Sequence, residues 1–156
     1  MSSSSGAYSG PTGLFVNNQF IASVSGKTFG TFNPASGKEI CQVSEGDKAD
    51  IDVAVAAADK AFVKWRRSTG EARSKLMHAL ADLVEKNLEV LASTESLDNG
   101  MHITMSRAIV GTLPLWLRHF AGYADKLHGS TTPLPNPTQF SFNTYEPIGV
   151  VGAIVP

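Results

Sequence analysis

Residues 145–156 read Tyr145-Glu146-Pro147-Ile148-Gly149-Val150-Val151-Gly152-Ala153-Ile154-Val155-Pro156, a turn leading into an apolar, glycine-spaced run. The run from Ile148 to Val155 has no polar face, so it predicts a strand buried on both sides, as inside a parallel sheet. Parallel neighbours need crossover connections rather than tight turns. The expected class is therefore α/β, and the strand requires partners that the sequence up to Pro156 does not supply. In open α/β sheets ligands bind beyond the carboxyl ends of the strands, so this run ends where a cofactor cleft would begin. The expectation is a truncated chain.

Composition narrows the function classes. The 13 Lys and Arg residues are balanced by 14 Asp and Glu, and no basic cluster of the kind that grips a phosphate backbone is present in the sequence, so no nucleic-acid partner is expected. No apolar stretch approaches the roughly 20 residues of a spanning helix, and no membrane association is expected. Residues 1–13 (MSSSSGAYSGPTG) lack the basic start and apolar middle of a signal peptide and read as a disordered tail. The single cysteine cannot form an internal disulfide, which favours a reducing compartment and a cytoplasmic location.

Working back from the terminal run, Gln139 to Tyr145 alternates strictly, with Phe140, Phe142 and Thr144 on one face. It predicts a strand of a projecting ribbon that packs outside this unit, reached through the Pro-rich connector 130–137. Thr112 to His128 predicts a helix with Thr112 as N-cap, Pro114 in its first turn and Gly129 after its end. Trp116, Phe120, Tyr123 and Leu127 would form its core-facing stripe. Ser68-Thr69-Gly70-Glu71 has capping-box spacing, and the stripe Met77, Leu80, Val84, Leu88, Leu91 runs past a break near Asn87 to a stop at Asp98-Asn99-Gly100. Ile51, Val55, Ala58, Phe62 and Trp65 mark a further amphipathic helix capped by Asp47. Before it lie two hairpins, one turning at Asn17-Asn18 and one at Pro34-Ala35-Ser36-Gly37 between Lys27–Asn33 and Glu39–Ser44.

Candidate reactive groups are sparse. Cys41 shares a strand face with Val43 and reads as an inert packed thiol. His78, His102, His119 and His128 lack the close spacing of a zinc set and read as surface or helix-end residues. Gly149 and Gly152 lack the third glycine and following helix of a phosphate loop, and read as close packing within a strand.

Several blocks, taken in order, resemble one family. They are Leu14-Phe15-Val16-Asn17-Asn18-Gln19-Phe20, Thr31-Phe32-Asn33-Pro34-Ala35-Ser36-Gly37-Lys38-Glu39-Ile40, Leu97-Asp98-Asn99-Gly100, Phe120-Ala121-Gly122-Tyr123-Ala124-Asp125-Lys126-Leu127-His128-Gly129, and Glu146 to Pro156. Together they resemble the amino-terminal portion of NAD(P)-dependent aldehyde dehydrogenases, from about Leu14 to Pro156. The resemblance implies an α/β, Rossmann-type fold cut short. Residues 14–129 would hold the hairpins and helices of the cofactor domain, 130–147 a bridging and oligomerisation ribbon, and 148–156 the first strand of the dinucleotide-binding sheet.

In the family a cysteine thiolate attacks the aldehyde, hydride passes to the nicotinamide, and a glutamate activates the hydrolytic water. The resemblance implies that the thiol, the base and the oxyanion-binding Trp-Asn pair all follow Pro156. The chain is thus expected to be inactive by itself, with an aldehyde as substrate and NAD or NADP as cofactor of the complete enzyme. An alternative is a short isoform serving as a non-catalytic assembly or regulatory partner of that enzyme. Ile154, Val155 and Pro156 match the segment lining the dinucleotide cleft. Thr31, Phe32 and Asp98 match a monovalent-cation position, with Asp98 alternatively a plain helix-end carboxylate. The 139–145 strand matches the ribbon through which family members form homo-oligomers. Met101-His102 replaces the usual Lys-Pro, and 103–111 matches poorly, so no particular aldehyde is indicated.

Overall fold

The computed structural model describes residues 8–155. Expectations for residues 1–7 and for Pro156 lie outside the described residues. Two hairpins open the fold. Strands β1 (Leu14–Val16) and β2 (Gln19–Ile21) pair antiparallel with Phe15 opposite Phe20, and Asn17 and Asn18 make the turn at φ 50 and 63. Asparagine tolerates that left-handed conformation because its short amide bonds locally to the backbone. Strands β3 (Thr28–Phe32) and β4 (Glu39–Ser44) pair around the Pro34–Gly37 turn, with a register shift between Thr31 and Phe32. The hairpins are joined through residues expected to form a free tail. The Ser44 N–H donates to the Thr12 carbonyl at 2.9 Å, so residues 8–13 are held against β4.

Helix α1 (Lys48–Trp65) begins at Asp47 as expected, and a reciprocal box reinforces it. Asp47 accepts the Ala49 N–H at 2.9 Å, while the Asp50 carboxylate accepts the N–H groups of Asp47 at 2.9 Å and Val24 at 2.8 Å. Those two bonds, that from Asp47 first, hold the buried Asp50 carboxyl below its ordinary range. They also fix α1 to the loop after β2. The expected α1 stripe is only partly covered, since Ile51, Val55 and Trp65 are exposed.

Helix α2 (Gly70–Lys86) starts one residue later than the capping-box spacing suggests. Thr69 rather than Ser68 caps it, accepting the Ala72 N–H at 3.1 Å. Ser68 instead donates to the Trp65 carbonyl, and Glu71 pairs with Lys75 along the helix. Asn87 breaks the helix as expected, and α3 (Leu88–Asn99) ends at Gly100, whose φ of 78 supplies the left-handed stop.

The last helix departs most from the sequence reading. Helix α4 runs from Ile103 to Ala121, not from Thr112 to His128. Its cap is His102, whose Nδ1 accepts the Thr104 N–H at 3.3 Å, and Pro114 sits buried in the interior. Residues 122–126 then turn without helix, and Gly129 closes nothing. Helix α4 lies over α2 and α3, fastened by ion pairs from Arg118 to Asp82 and Glu85 and from Arg107 to Glu89. The contact between helices is made by small groups: Ala81, Ala92 and Ala121 are buried, and buried Ser106 donates to the Ala92 carbonyl at 2.8 Å. Trp116, Phe120, Tyr123 and Leu127, expected as core, are exposed; Trp116 keeps 59% of its surface.

Strands β5 (Thr131–Thr132) and β6 (Ser141–Phe142) form a short antiparallel ribbon, so only part of the expected 139–145 strand is paired. At the ribbon's base an added Cβ on Gly129 would fall 1.7 Å from the Asn143 carbonyl oxygen, an approach only glycine allows. Residues 148–155 form no strand, contrary to expectation, and Ile148 is 94% exposed. A strand exists only as part of a ladder, and among the described residues none of the three two-stranded sheets pairs with it.

Candidate functional site

A cleft of about 990 Å³ opens between the β3–β4 hairpin and α3. Thr31 and Cys41 stand on the sheet side, Glu89, Glu95 and Asp98 on the helix side, and Tyr8 at one end. The hairpin and helix are held together at the α3 terminus, where Gly100 meets the Pro34 ring. The structure therefore brings Thr31 and Asp98, far apart in sequence, onto one cleft. Phe32 is not part of its lining, and its side chain is exposed. The Thr31 hydroxyl lies 3.4 Å from the Cys41 carbonyl and 3.6 Å from its thiol. Glu89 is engaged across the cleft's outer edge by Arg107, whose pKa its carboxylate raises. Among the described residues no three His, Cys, Asp or Glu side chains gather as a metal site. Thr31 and Asp98 offer oxygen atoms suited to a hard monovalent cation but do not complete a coordination shell.

A second hollow, about 580 Å³, lies where α4 turns toward the ribbon. Phe120, Tyr123 and Tyr145 give it an aromatic floor, and Arg73, Lys126 and His128 a basic rim. His119 packs edge-on to Phe120 with centroids 5.2 Å apart and lies equally close to Tyr123. Lys126 binds Asp125 at 2.8 Å and keeps that carboxyl below its ordinary range. The i, i+4, i+7 spacing of Trp116, Phe120 and Tyr123 signals a stripe, but periodicity does not say whether this chain or another surface covers it.

Ile154 and Val155 sit in the extended, exposed terminal segment, remote from the aspartate cleft's lining. Two histidines serve locally: His102 caps α4, and a ring nitrogen of His128 lies 2.7 Å from the Lys126 carbonyl.

Comparison with known proteins places this arrangement. The aldehyde dehydrogenase family model matches residues 20–156. This chain belongs to the aldehyde dehydrogenase family. It is 46% identical over 153 residues to an aldehyde dehydrogenase of Davidiella tassiana, and 46% identical over 147 residues to the human mitochondrial aldehyde dehydrogenase. These matches cover 97% and 92% of this chain but 31% and 28% of those proteins. The chain thus spans about a third of the length of the curated relatives it matches. Among solved structures, betaine aldehyde dehydrogenase from Staphylococcus aureus, in complex with NAD+, superposes with a TM-score of 0.82 at 32% identity, over 88% of this chain and 28% of that one. The hairpins, the four helices and the small sheets are accordingly an amino-terminal portion of the aldehyde dehydrogenase fold.

Proposed function

We propose that this chain supplies the amino-terminal part of an NAD(P)-dependent aldehyde dehydrogenase, which oxidises an aldehyde to a carboxylic acid, and that it does not turn over alone. The observation that carries this reading is the match from residue 20 to residue 156 against relatives three times as long. Its own thiol supports it: Cys41 lies in β4, and the hydrogen-bond partner of its sulfur is a hydroxyl rather than a base. A hydroxyl partner does not activate a thiol as a general base would.

In the complete enzyme, Ile154, Val155 and Pro156 would line the dinucleotide cleft, binding by apolar contact and excluding water. NAD or NADP would supply the hydride acceptor there. The Thr31 and Phe32 backbone carbonyls and the Asp98 carboxylate would hold a monovalent cation together with a group from another segment. The exposed Phe140 and Phe142, with rings 5.8 Å apart, would bury against a second subunit. A cytoplasmic location belongs to the same proposal.

The test is direct. Purified chain incubated with short, long and aromatic aldehydes and either NAD+ or NADP+ should give no NAD(P)H above the enzyme-free blank. Turnover that survives Cys41→Ser would place the chemistry elsewhere in this chain and sink the reading. The exposed ribbon also supports a second role, as a non-catalytic assembly partner of a full-length enzyme. Mixing tagged chain with such an enzyme should give mixed oligomers, and their absence would remove that role.

A further inference from the structure

The two arginines of α4 are each met by carboxylates, Arg107 by Glu89 and Arg118 by Asp82 and Glu85. Arg73 of α2 is different. It is half-buried, and among the described residues no carboxylate pairs with it. Its Nη1 donates to the Ser68 carbonyl at 2.6 Å and the Ser68 hydroxyl at 3.2 Å, and its Nη2 reaches the Ala124 carbonyl at 3.5 Å. These neutral oxygens fix the guanidinium but leave its charge uncancelled, and a charge drawn out of water is costly without a counter-charge. Nε has no acceptor among the described residues. Nε and Nη2 lie along one edge of the guanidinium plane, at the spacing of the two oxygens of a carboxylate.

Arg73 lines the hollow at the end of α4, and among the described residues no Asp or Glu shares that lining. Lys126 also lines it but is partly neutralised by Asp125, so Arg73 carries the main uncancelled charge. A hollow with rim charge of one sign repels cations and draws an anion. Its walls narrow the class further. The rings of Phe120, Tyr123 and Tyr145 are each more than half exposed there and offer faces and edges to another ring. The volume, about 580 Å³, lies within the ~300–1,000 Å³ of small-molecule pockets, and one guanidinium edge suits one carboxylate rather than a polyphosphate. Trp116 and the ribbon's Phe140 and Phe142 lie outside this lining, so the hollow is separate from the ribbon surface proposed for assembly.

We infer that this hollow is a binding site for a small aromatic carboxylate. Arg73 grips the carboxylate, and Phe120, Tyr123 and Tyr145 enclose the ring. The binding is non-covalent and belongs to this chain itself, so it goes beyond the family reading and does not depend on turnover.

The test titrates nitrogen-labelled chain with sodium naphthoate, followed by proton–nitrogen correlation NMR. Saturable shifts should appear at the Tyr123 to His128 amides and at the Arg73 Nε–H. Naphthalenemethanol, which keeps the rings and loses the charge, should bind about tenfold more weakly. Decalincarboxylate, which keeps the acid and loses the π faces, should bind several-fold more weakly. Arg73→Gln should lower naphthoate affinity about tenfold, whereas Arg67→Gln, an exposed arginine outside the lining, should leave it unchanged. Because Arg73 also bonds Ser68, Tyr145→Ala serves as the second variant. Its ring is exposed and makes no hydrogen bond among the described residues, so its loss should weaken binding several-fold with the far-ultraviolet circular dichroism unchanged. Absence of saturable shifts, or shifts confined to the cleft between Thr31 and Asp98, overturns the site. Equal affinity for naphthalenemethanol overturns the anion, and equal affinity for decalincarboxylate overturns the aromatic class. Equal losses from Arg67→Gln and Arg73→Gln reduce the effect to unspecific charge attraction and overturn the role of Arg73.

Discussion

Replacing Gly100 by alanine separates two strains that meet where α3 ends. Gly100 adopts φ 78, a left-handed conformation that costs a residue with a Cβ about 1–2 kcal/mol. A Cβ there would also lie 2.6 Å from Pro34 Cγ, and forcing such an overlap costs about 1–3 kcal/mol as the neighbour gives way. Taken near the middle of both ranges, Gly100→Ala should destabilise the chain by about 3.5 kcal/mol, or roughly 7–14 °C in Tm for a chain of this size. Pro34→Ala removes Cγ and the ring, so in that background Gly100→Ala should retain only the backbone part, about 1–2 kcal/mol. A double-mutant cycle by urea unfolding, followed by circular dichroism, should then give a coupling of about 1–3 kcal/mol. Additivity within about 0.5 kcal/mol would show that the α3 terminus does not rest on the β3–β4 turn, and with it the cleft joining Thr31 to Asp98 would lose its anchor.

Ser106→Ala should cost about 1 kcal/mol by removing the bond to the Ala92 carbonyl, and an unchanged urea midpoint would mean α3 and α4 are not joined there. Asp50 and Glu85 both titrate below their ordinary values of 3.8 and 4.5, Asp50 through backbone N–H groups and Glu85 through the Arg118 hydrogen bond. A depressed folded-state pKa gives stability that is complete above the unfolded value and lost as pH falls through the folded one. The urea midpoint should therefore be level with respect to these groups above about pH 5 and decline below about pH 4; Asp50→Asn should flatten the decline, and an identical profile would contradict the assigned box. Phe140→Ser with Phe142→Ser should lower any self-association seen by sedimentation velocity, and an unaltered distribution would acquit the ribbon.

The parts legible in the sequence are those whose cause is local. Asn17-Asn18, Gly37 and Gly100 set backbone conformations by themselves, and each turn or stop lies where those residues put it. Asp47 likewise caps α1 through bonds within one turn. Helix α4 departs from its sequence pattern because Pro114 usually marks a first turn, whereas here the helix runs through it. A mid-helix proline forfeits one hydrogen bond and costs about 3 kcal/mol in isolation. The ion pairs of Arg107 and Arg118 with α2 and α3, which sequence spacing does not reveal, hold the helix on either side of it. His102 as cap was missed for a similar reason, since an imidazole is not among the favoured cap residues.

The 148–155 expectation failed differently: the pattern was apolar as read, but the ladder it needs is not local. Helix α4 makes the same point in side chains. Its buried positions are Ser106, Val110, Pro114 and Ala121, while Trp116 and Phe120 on the helix and Tyr123 just past its end are exposed. A helix group built to stand alone would put its largest apolar side chains between the helices, because they contribute most on burial. Small residues let α2, α3 and α4 approach closely but bury little area. The large ones are therefore placed for an outer layer, and the second hollow, with its aromatic floor and basic rim, lies on that same side of α4. On the reading proposed above, these helices would be the inner half of an interface. On that account a hydrophobic dye should bind this chain strongly and be displaced when a partner covers the Trp116–Phe120 face; weak dye binding by the isolated chain would mean that these side chains have already found cover.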